Sequence, residues 1–205
     1  MSQTALLQTL RLKGRAASEA IAAALAEPHA DVSAGLRDLA AAGFVELGPR
    51  DAYRLTPVGR EELARLLAEE RAGLDQAEMR VHYDAFCVQN DRFKEVMTAW
   101  QLKDPLTPND HSDPEYDDAI VGRLGDVHAA AAPIVAAAVA RVPRLAQAYP
   151  RRLDAAWELV ASGDRAWIAK PLADSYHTVW FELHEELIGL AGLTRAEEAA
   201  AGRGA

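Results

Sequence analysis

Histidine and aromatic side chains recur in the second half of the chain at spacings that would bring them together on helices. His177, Trp180 and His184 follow one another at intervals of three and four residues, which places them on one side of a predicted helix. Imidazole, indole and amide groups beside an apolar face need hydrogen-bond partners when they are buried. Polar groups that converge in an apolar cavity are the usual composition of a small-molecule site.

The predicted ligand site combines side chains from three helices and one loop. Its members share a polar or amphipathic group on or beside an apolar face, and they are Asn90, Trp100, His111, His128, Tyr176, His177, Trp180 and His184. We expect them to line one shared cavity, with His111 on a loop at its mouth. The alternative is that the histidines and Asn90 each bond a loop carbonyl and lock the core without a ligand.

No pattern predicts a catalytic residue, a cofactor or a metal ion. The sequence contains no glycine-rich phosphate loop, no G-x-S-x-G elbow and no HExxH pair, since His184-Glu185 lacks a second histidine four residues on. The single cysteine, Cys87, excludes an internal disulfide and a cysteine-built zinc site. We therefore expect no enzymatic activity, and we interpret Glu182, Glu185 and Glu186 as a solvated face.

A second set of residues, near the N-terminus, could read DNA. Arg37 lies in a predicted helix that follows a turn, and its guanidinium could make a bidentate contact with guanine. His29, Ser33 and Ala34 are the other candidates for the major groove. Arg50 and Arg54 lie in a predicted hairpin, where they would contact phosphates.

The elements that must carry this second set are predicted to be helix, turn, helix and hairpin. Ser18 and Asp31 are expected to cap the second and third helices, and Gly43 to end the third. The predicted helices cover residues 4–13, 19–26 and 32–42. Strands at 44–47 and 52–55 flank a Gly-Pro-Arg-Asp turn, and Thr56 is expected to cap the next helix, with Pro57 in its first turn.

From about residue 73 onward the pattern is entirely helical. Residues 103–115 contain three prolines and are predicted to form a polar loop. Pro133 is expected to kink or split the following helix. Ser175 is expected to cap a final helix that ends near Leu190.

Two resemblances follow from these motifs. The third helix, Gly43, the hairpin and the Thr-Pro-x-Gly-Arg sequence of residues 56–60 resemble MarR-type winged-helix regulators over roughly residues 4–72. That resemblance implies a homodimer that binds double-stranded DNA. Residues 98–101 (TAWQ), 108–113 (PNDHSD) and 174–185 (DSYHTVWFELHE) resemble a helical segment that accompanies a winged helix in some proteins related to pyruvate phosphate dikinase and phosphoenolpyruvate synthase. The dikinase catalytic parts are absent, so this second resemblance implies regulation near such metabolism and not phosphotransfer.

Charge is distributed unevenly along the chain, whose net charge is −9. Residues 1–72 hold nine basic and ten acidic side chains, a net charge of −1, and the remainder holds thirteen and twenty-one, a net charge of −8. Phosphate contacts normally supply most of the affinity for DNA, so a neutral N-terminal region counts against tight non-specific binding.

No continuous apolar run approaches the roughly 20 residues that span a bilayer, and we expect a cytoplasmic protein without a membrane partner.

These observations predict a mostly α fold. An N-terminal winged helix-turn-helix with a two-stranded wing (residues 1–72) would precede an all-α helical bundle (73–205). The predicted function is a DNA-binding transcriptional regulator whose second domain senses a small-molecule effector or mediates dimerisation. The alternative is a module that does not bind DNA and regulates a metabolic enzyme of the phosphoenolpyruvate/pyruvate type.

Overall fold

The computed structural model describes residues 2–200, which form two compact units. The first unit comprises residues 2–75 and 142–149, and the second comprises 76–141 and 150–200. The fold is mostly helical, as predicted. A division at residue 72 does not describe the first unit fully, because residues 142–149 also belong to it. The last five residues of the predicted second domain lie outside the described part of the chain.

The first unit contains four helices, a three-stranded antiparallel sheet and the first turns of a later helix. Its elements are α1 (Gln3–Lys13), β1 (Ala16–Ala17), α2 (Ser18–Leu25), α3 (His29–Ala41), β2 (Val45–Leu47), β3 (Ala52–Leu55), α4 (Pro57–Ala72) and the start of α7 (Pro143–Ala161). The strand order is β1-β3-β2, so β3 is central. The short strand β1, which pairs Ala16 with Tyr53 and Ala17 with Ala52, is an element that the sequence analysis did not predict.

The core of the first unit is an apolar cluster to which every helix and the sheet contribute. One face of each helix is buried, at the spacing of three and four residues that an amphipathic helix requires. Among the buried side chains are Leu7, Leu10, Ile21, Val32, Leu36, Val45, Leu55 and Leu63.

Two predicted helix caps are wrong. Helix α2 begins at Ser18 itself, and its hydroxyl contacts the His29 ring at 2.9 Å instead of capping the backbone. Helix α3 begins at His29, two residues before Asp31, and Pro28 occupies the cap position. The amides of Asp31 and Val32 both bond the Pro28 carbonyl, so the helix starts without a side-chain cap.

The junction between the hairpin and α4 explains the Thr-Pro-x-Gly-Arg sequence. Thr56 Oγ1 accepts a hydrogen bond from the Gly59 amide at 3.0 Å, which confirms the predicted cap, and donates to the Gly43 carbonyl at 2.7 Å. Gly43 has φ 78°, the left-handed conformation predicted for it. A Cβ on Gly59 would stand 1.9 Å from the carbonyl oxygen of Phe44, so only glycine allows α4 to approach the end of β2 this closely.

The second unit consists of long helices and one short hairpin. Its elements are α5 (Gln76–Gln101), β4 (Leu102–Asp104), β5 (Thr107–Pro108), α6 (Pro114–Val139), the remainder of α7, α8 (Tyr176–Leu190) and α9 (Arg195–Ala200). The β4–β5 hairpin lies where a polar loop was predicted. Pro133 does not split α6, which runs continuously from Pro114 to Val139. Ser175 caps α8 as predicted, accepting from the Thr178 amide.

Within the described residues, α6 is long and apolar enough to cross a membrane by length and composition, and a core helix of a soluble protein passes the same test. Its many alanines raise the mean hydropathy without forming one continuous apolar run, so the sequence did not indicate this property. Along one face, α6 packs on α5, burying Ile120, Leu124 and Val127.

Candidate functional site

The polar face of α3 carries the predicted base-reading residues. Val32, Leu36 and Leu39 turn to the core. His29, Ser33 and Arg37 follow one another at intervals of four residues, so they form one stripe that runs beside the apolar face.

Side-chain contacts hold the His29 end of the stripe, whereas Arg37 at the other end is exposed. His29 Nε2 lies 2.9 Å from Ser18 Oγ, 3.1 Å from Ser33 Oγ and 3.4 Å from a Glu19 carboxylate oxygen. Arg37 is exposed and forms no ion pair with any described residue. Ala34 is half-buried beside the stripe.

The hairpin presents its two predicted arginines differently. Arg50 lies exposed at the tip, in the left-handed conformation with φ 61°, and pairs with no described residue. Arg54 lies on β3 opposite Glu46, and its Nε is 2.5 Å from the Glu46 carboxylate. Only Arg50 is therefore immediately available to an external anion.

Arg15, which was not predicted as a site residue, is a further exposed cation beside this hairpin. Its guanidinium carbon lies 3.8 Å from the point where a Cβ on Gly48 would stand. Strand β1 brings Arg15 there, and a strand of two alanines gives no recognisable sequence signal. The position of Gly14, which ends α1 with φ 69°, is the available hint that the chain turns just before Arg15.

In the second unit, Trp180 lies at the centre of a buried aromatic cluster. Its indole Nε1 donates to Asn90 Oδ1 at 3.0 Å. Its ring stacks against Phe93 at 4.6 Å and Phe86 at 4.9 Å between centroids. Asn90, which interrupts the apolar stripe of α5, therefore supplies the hydrogen-bond acceptor that the buried indole needs.

His184 lies one turn from Trp180 in a second buried group. The Tyr83 hydroxyl donates a hydrogen bond to Glu198, and its oxygen lies 3.2 Å from His184 Nε2. Because the hydroxyl hydrogen is used in this way, the oxygen accepts a hydrogen bond from Nε2–H of His184. His184 Nδ1 is buried without a hydrogen-bond partner among the described residues. Burial, and then the nearby Arg195 charge, lower the pKa of His184 to about 4, so the ring is neutral at pH 7.

His128 and His177 are placed apart from that group. His128 Nδ1 lies 3.3 Å from the Tyr176 hydroxyl, and its ring stacks on Trp157. His177 is exposed, with its ring 6.1 Å from Phe93. Loss of water around the imidazole rings lowers the pKa of both histidines.

Trp100 and His111 form another group, at the hairpin of the second unit. Their ring centroids are 4.2 Å apart. His111 Nδ1 lies 3.1 Å from a carboxylate oxygen of the buried Asp117, which also accepts from the Asn109 side chain at 2.9 Å. His111 has φ 56°, in the left-handed region that histidine adopts more readily than most residues other than glycine. A carboxylate that holds Nδ1 directs Nε2 outward, the arrangement used for metal binding or proton transfer.

Several of the predicted site residues contact one another, since the Tyr176 ring lies against both His128 and Trp180. Asn90 and Trp180 bond each other, His184 bonds Tyr83, and His128 contacts Tyr176. Trp100 and His111 stack on each other. These polar atoms are bonded to side chains and not to the loop carbonyls of the alternative interpretation. Ligand binding by these residues remains a prediction.

A buried ionic network in the second unit was not predicted. Arg152 bonds Asp174 through two nitrogens, at 2.8 and 3.0 Å, and bonds Glu182 at 2.7 Å. The expectation of a solvated face is wrong for Glu182 and Glu186, which are both 4% exposed. Glu185 is half-buried and pairs with Arg195. Glu182 lies one turn from the core residue Val179, and this spacing was the available signal.

Within residues 2–200, no group of three or more histidine, cysteine, aspartate or glutamate side chains could hold a metal ion. No protein-family model matches the chain, and comparisons with curated proteins and with solved structures found no significant match.

Proposed function

We propose that the chain is a DNA-binding transcriptional regulator whose first unit is a winged helix-turn-helix. The element order supports this: two helices joined by a three-residue turn precede an antiparallel hairpin, with β1 as the third strand. In this interpretation α3 enters the major groove and the hairpin contacts the backbone. The observation that carries the proposal is Arg37 at the end of the α3 stripe, which is exposed and forms no ion pair within residues 2–200.

The second unit would regulate the first, by binding a small-molecule effector or by mediating dimerisation. A two-fold dimer on a palindromic site would double the contacts that one nearly neutral unit can make. Such a regulator would act in the cytoplasm.

A second candidate function is a regulatory interaction module for a metabolic enzyme of the phosphoenolpyruvate/pyruvate type. One observation favours it: several cations of the first unit are already neutralised within the protein. Arg54 pairs with Glu46, Arg65 with Glu62 and Glu69, and Arg144 with Glu70. Such a module would bind no DNA.

The two candidates are separated by titrating the full chain into fluorescent duplexes and measuring anisotropy. One duplex carries the promoter region of its own gene, and the other has the same composition in scrambled order. Regulation predicts tighter binding to the promoter duplex. Arg37→Ala should cost about 1–3 kcal/mol on the promoter duplex and much less on the scrambled one.

Two outcomes contradict the proposal at different levels. An equal loss on both duplexes would remove base reading from Arg37. No binding of the wild-type chain to either duplex at 50 mM salt would reject DNA binding and favour the interaction module.

A further inference from the structure

The exposed arginines beside the hairpin of the first unit differ in whether the protein itself neutralises them. Arg54 is paired with Glu46 on the neighbouring strand. Arg15 and Arg50 are exposed, and neither forms an ion pair or a side-chain hydrogen bond with any described residue. Only unpaired guanidinium groups can approach a phosphate without first losing a carboxylate.

Arg15 reaches the hairpin because of two local features. Gly14 ends α1 with a positive φ of 69°, and the Arg15 amide bonds the Lys13 carbonyl across it in a tight turn. Strand β1 then pairs with β3 beginning at Ala16. The Arg15 guanidinium consequently lies near Gly48, with its carbon 3.8 Å and one nitrogen 3.9 Å from the point where a Cβ would stand. Gly48 immediately precedes the turn that carries Arg50.

We propose that Arg15, and not Arg54, is the partner of Arg50 in contacting the DNA backbone. This inference rests on the proposed function, and it identifies the two arginines at the hairpin that contact phosphate. Arg54 is the residue that sequence position favours, yet a phosphate approaching it would also meet the carboxylate of Glu46. Arg15 offers, beside the hairpin, a guanidinium that is not paired with a carboxylate of any described residue.

The salt dependence of binding measures this directly, because each phosphate contact contributes about −0.9 to the slope of log K against log salt concentration. Two contacts give a slope of about −1.8 per bound protomer. The full-length protein would be titrated into a mixed-sequence duplex at salt concentrations from 50 to 200 mM. The variants are Arg15→Ala, Arg50→Ala, Arg54→Ala and Arg65→Ala.

Arg65→Ala is the matched control, since it removes the same formal charge from a guanidinium already paired with Glu62 and Glu69. We expect Arg15→Ala and Arg50→Ala each to flatten the slope by about 0.9, with Arg54→Ala close to the control. Arg15→Lys keeps the charge and should restore most of the slope. Circular dichroism melting checks that every variant folds.

The outcomes separate this inference from the proposed function. If Arg15→Ala matches Arg65→Ala while Arg50→Ala flattens the slope, the Arg15 contact is rejected and DNA binding stands. If Arg54→Ala flattens the slope as much as Arg15→Ala, the choice of Arg15 over Arg54 is rejected. If the wild-type protein shows no salt-dependent binding, both proposals fall together.

Discussion

The two units use their polar side chains in opposite ways. In the first, Arg37 and Arg50 are exposed and unpaired among the described residues. In the second, Arg152, Asn90 and His184 are buried and bonded to side chains distant in sequence. Exposed charges contribute little to folding, whereas buried polar groups destabilise a protein strongly when a partner is removed. Substitutions in the first set should therefore alter binding, and substitutions in the second should alter stability.

Removing the Arg152 guanidinium is the strongest test of this difference. Arg152→Met would leave Asp174 and Glu182 without their shared cation, and the free energy of unfolding should fall by about 3–5 kcal/mol. Urea denaturation followed by circular dichroism measures the loss. Arg65→Met, which removes an exposed and paired arginine, should change stability little. Equal effects of the two substitutions would mean that burial of the Arg152 network is unimportant.

Acidification should destabilise the second unit through His184. Its pKa is lowered to about 4 in the folded protein, against an ordinary value of 6.5, so the unfolded chain binds the proton more readily. The contribution of His184 should be complete above pH 6.5 and should be lost as pH falls to about 4, by up to roughly 1.4 kcal/mol per pH unit. Urea denaturation of the wild type and of His184→Phe across this pH range measures the part of the free energy of unfolding that depends on His184. An NMR titration that gave His184 a pKa of 6.5 or higher would contradict it.

The first unit also contains a position, Gly59, at which a substitution should lower stability instead of altering binding. Gly59→Ala places a Cβ against the Phe44 carbonyl and should destabilise the protein by about 1–3 kcal/mol. Gly122→Ala is the control: no atom lies within 4 Å of the new Cβ, and helix α6 should gain up to about 1 kcal/mol. Thermal melting of both variants would show the opposite signs, and a neutral Gly59→Ala would mean that α4 shifts away at no cost.

Local signals in the sequence predicted the features that depend on neighbouring residues. Thr56 and Ser175 cap their helices as expected, and Gly43 takes the left-handed conformation, because each depends on backbone groups close to it. Ser18 failed as a cap because its hydroxyl contacts His29, which lies across a turn. Composition and helical periodicity were sufficient to predict a mostly α fold.

Features that depend on distant residues were not predictable in this way. Arg152 and its two carboxylates are separated by 22 and 30 positions, and nothing local marks them as partners. Periodicity indicates which helical face a side chain occupies, but not which partner satisfies it. Asn90, for example, accepts a hydrogen bond from the Trp180 indole, which lies 90 positions away in the sequence.

The close approach of Gly59 to Phe44 separates the residues that hold the frame of the first unit from those proposed to read bases. The Thr56 cap, the Gly43 carbonyl and this approach hold α4 to the hairpin without using any residue of the α3 stripe. Under the proposed function, a library randomised at positions 33, 34 and 37 could therefore be selected for new operator sequences while the junction between α4 and the hairpin stays unchanged. Position 29 is less suitable, because its ring also joins the starts of α2 and α3.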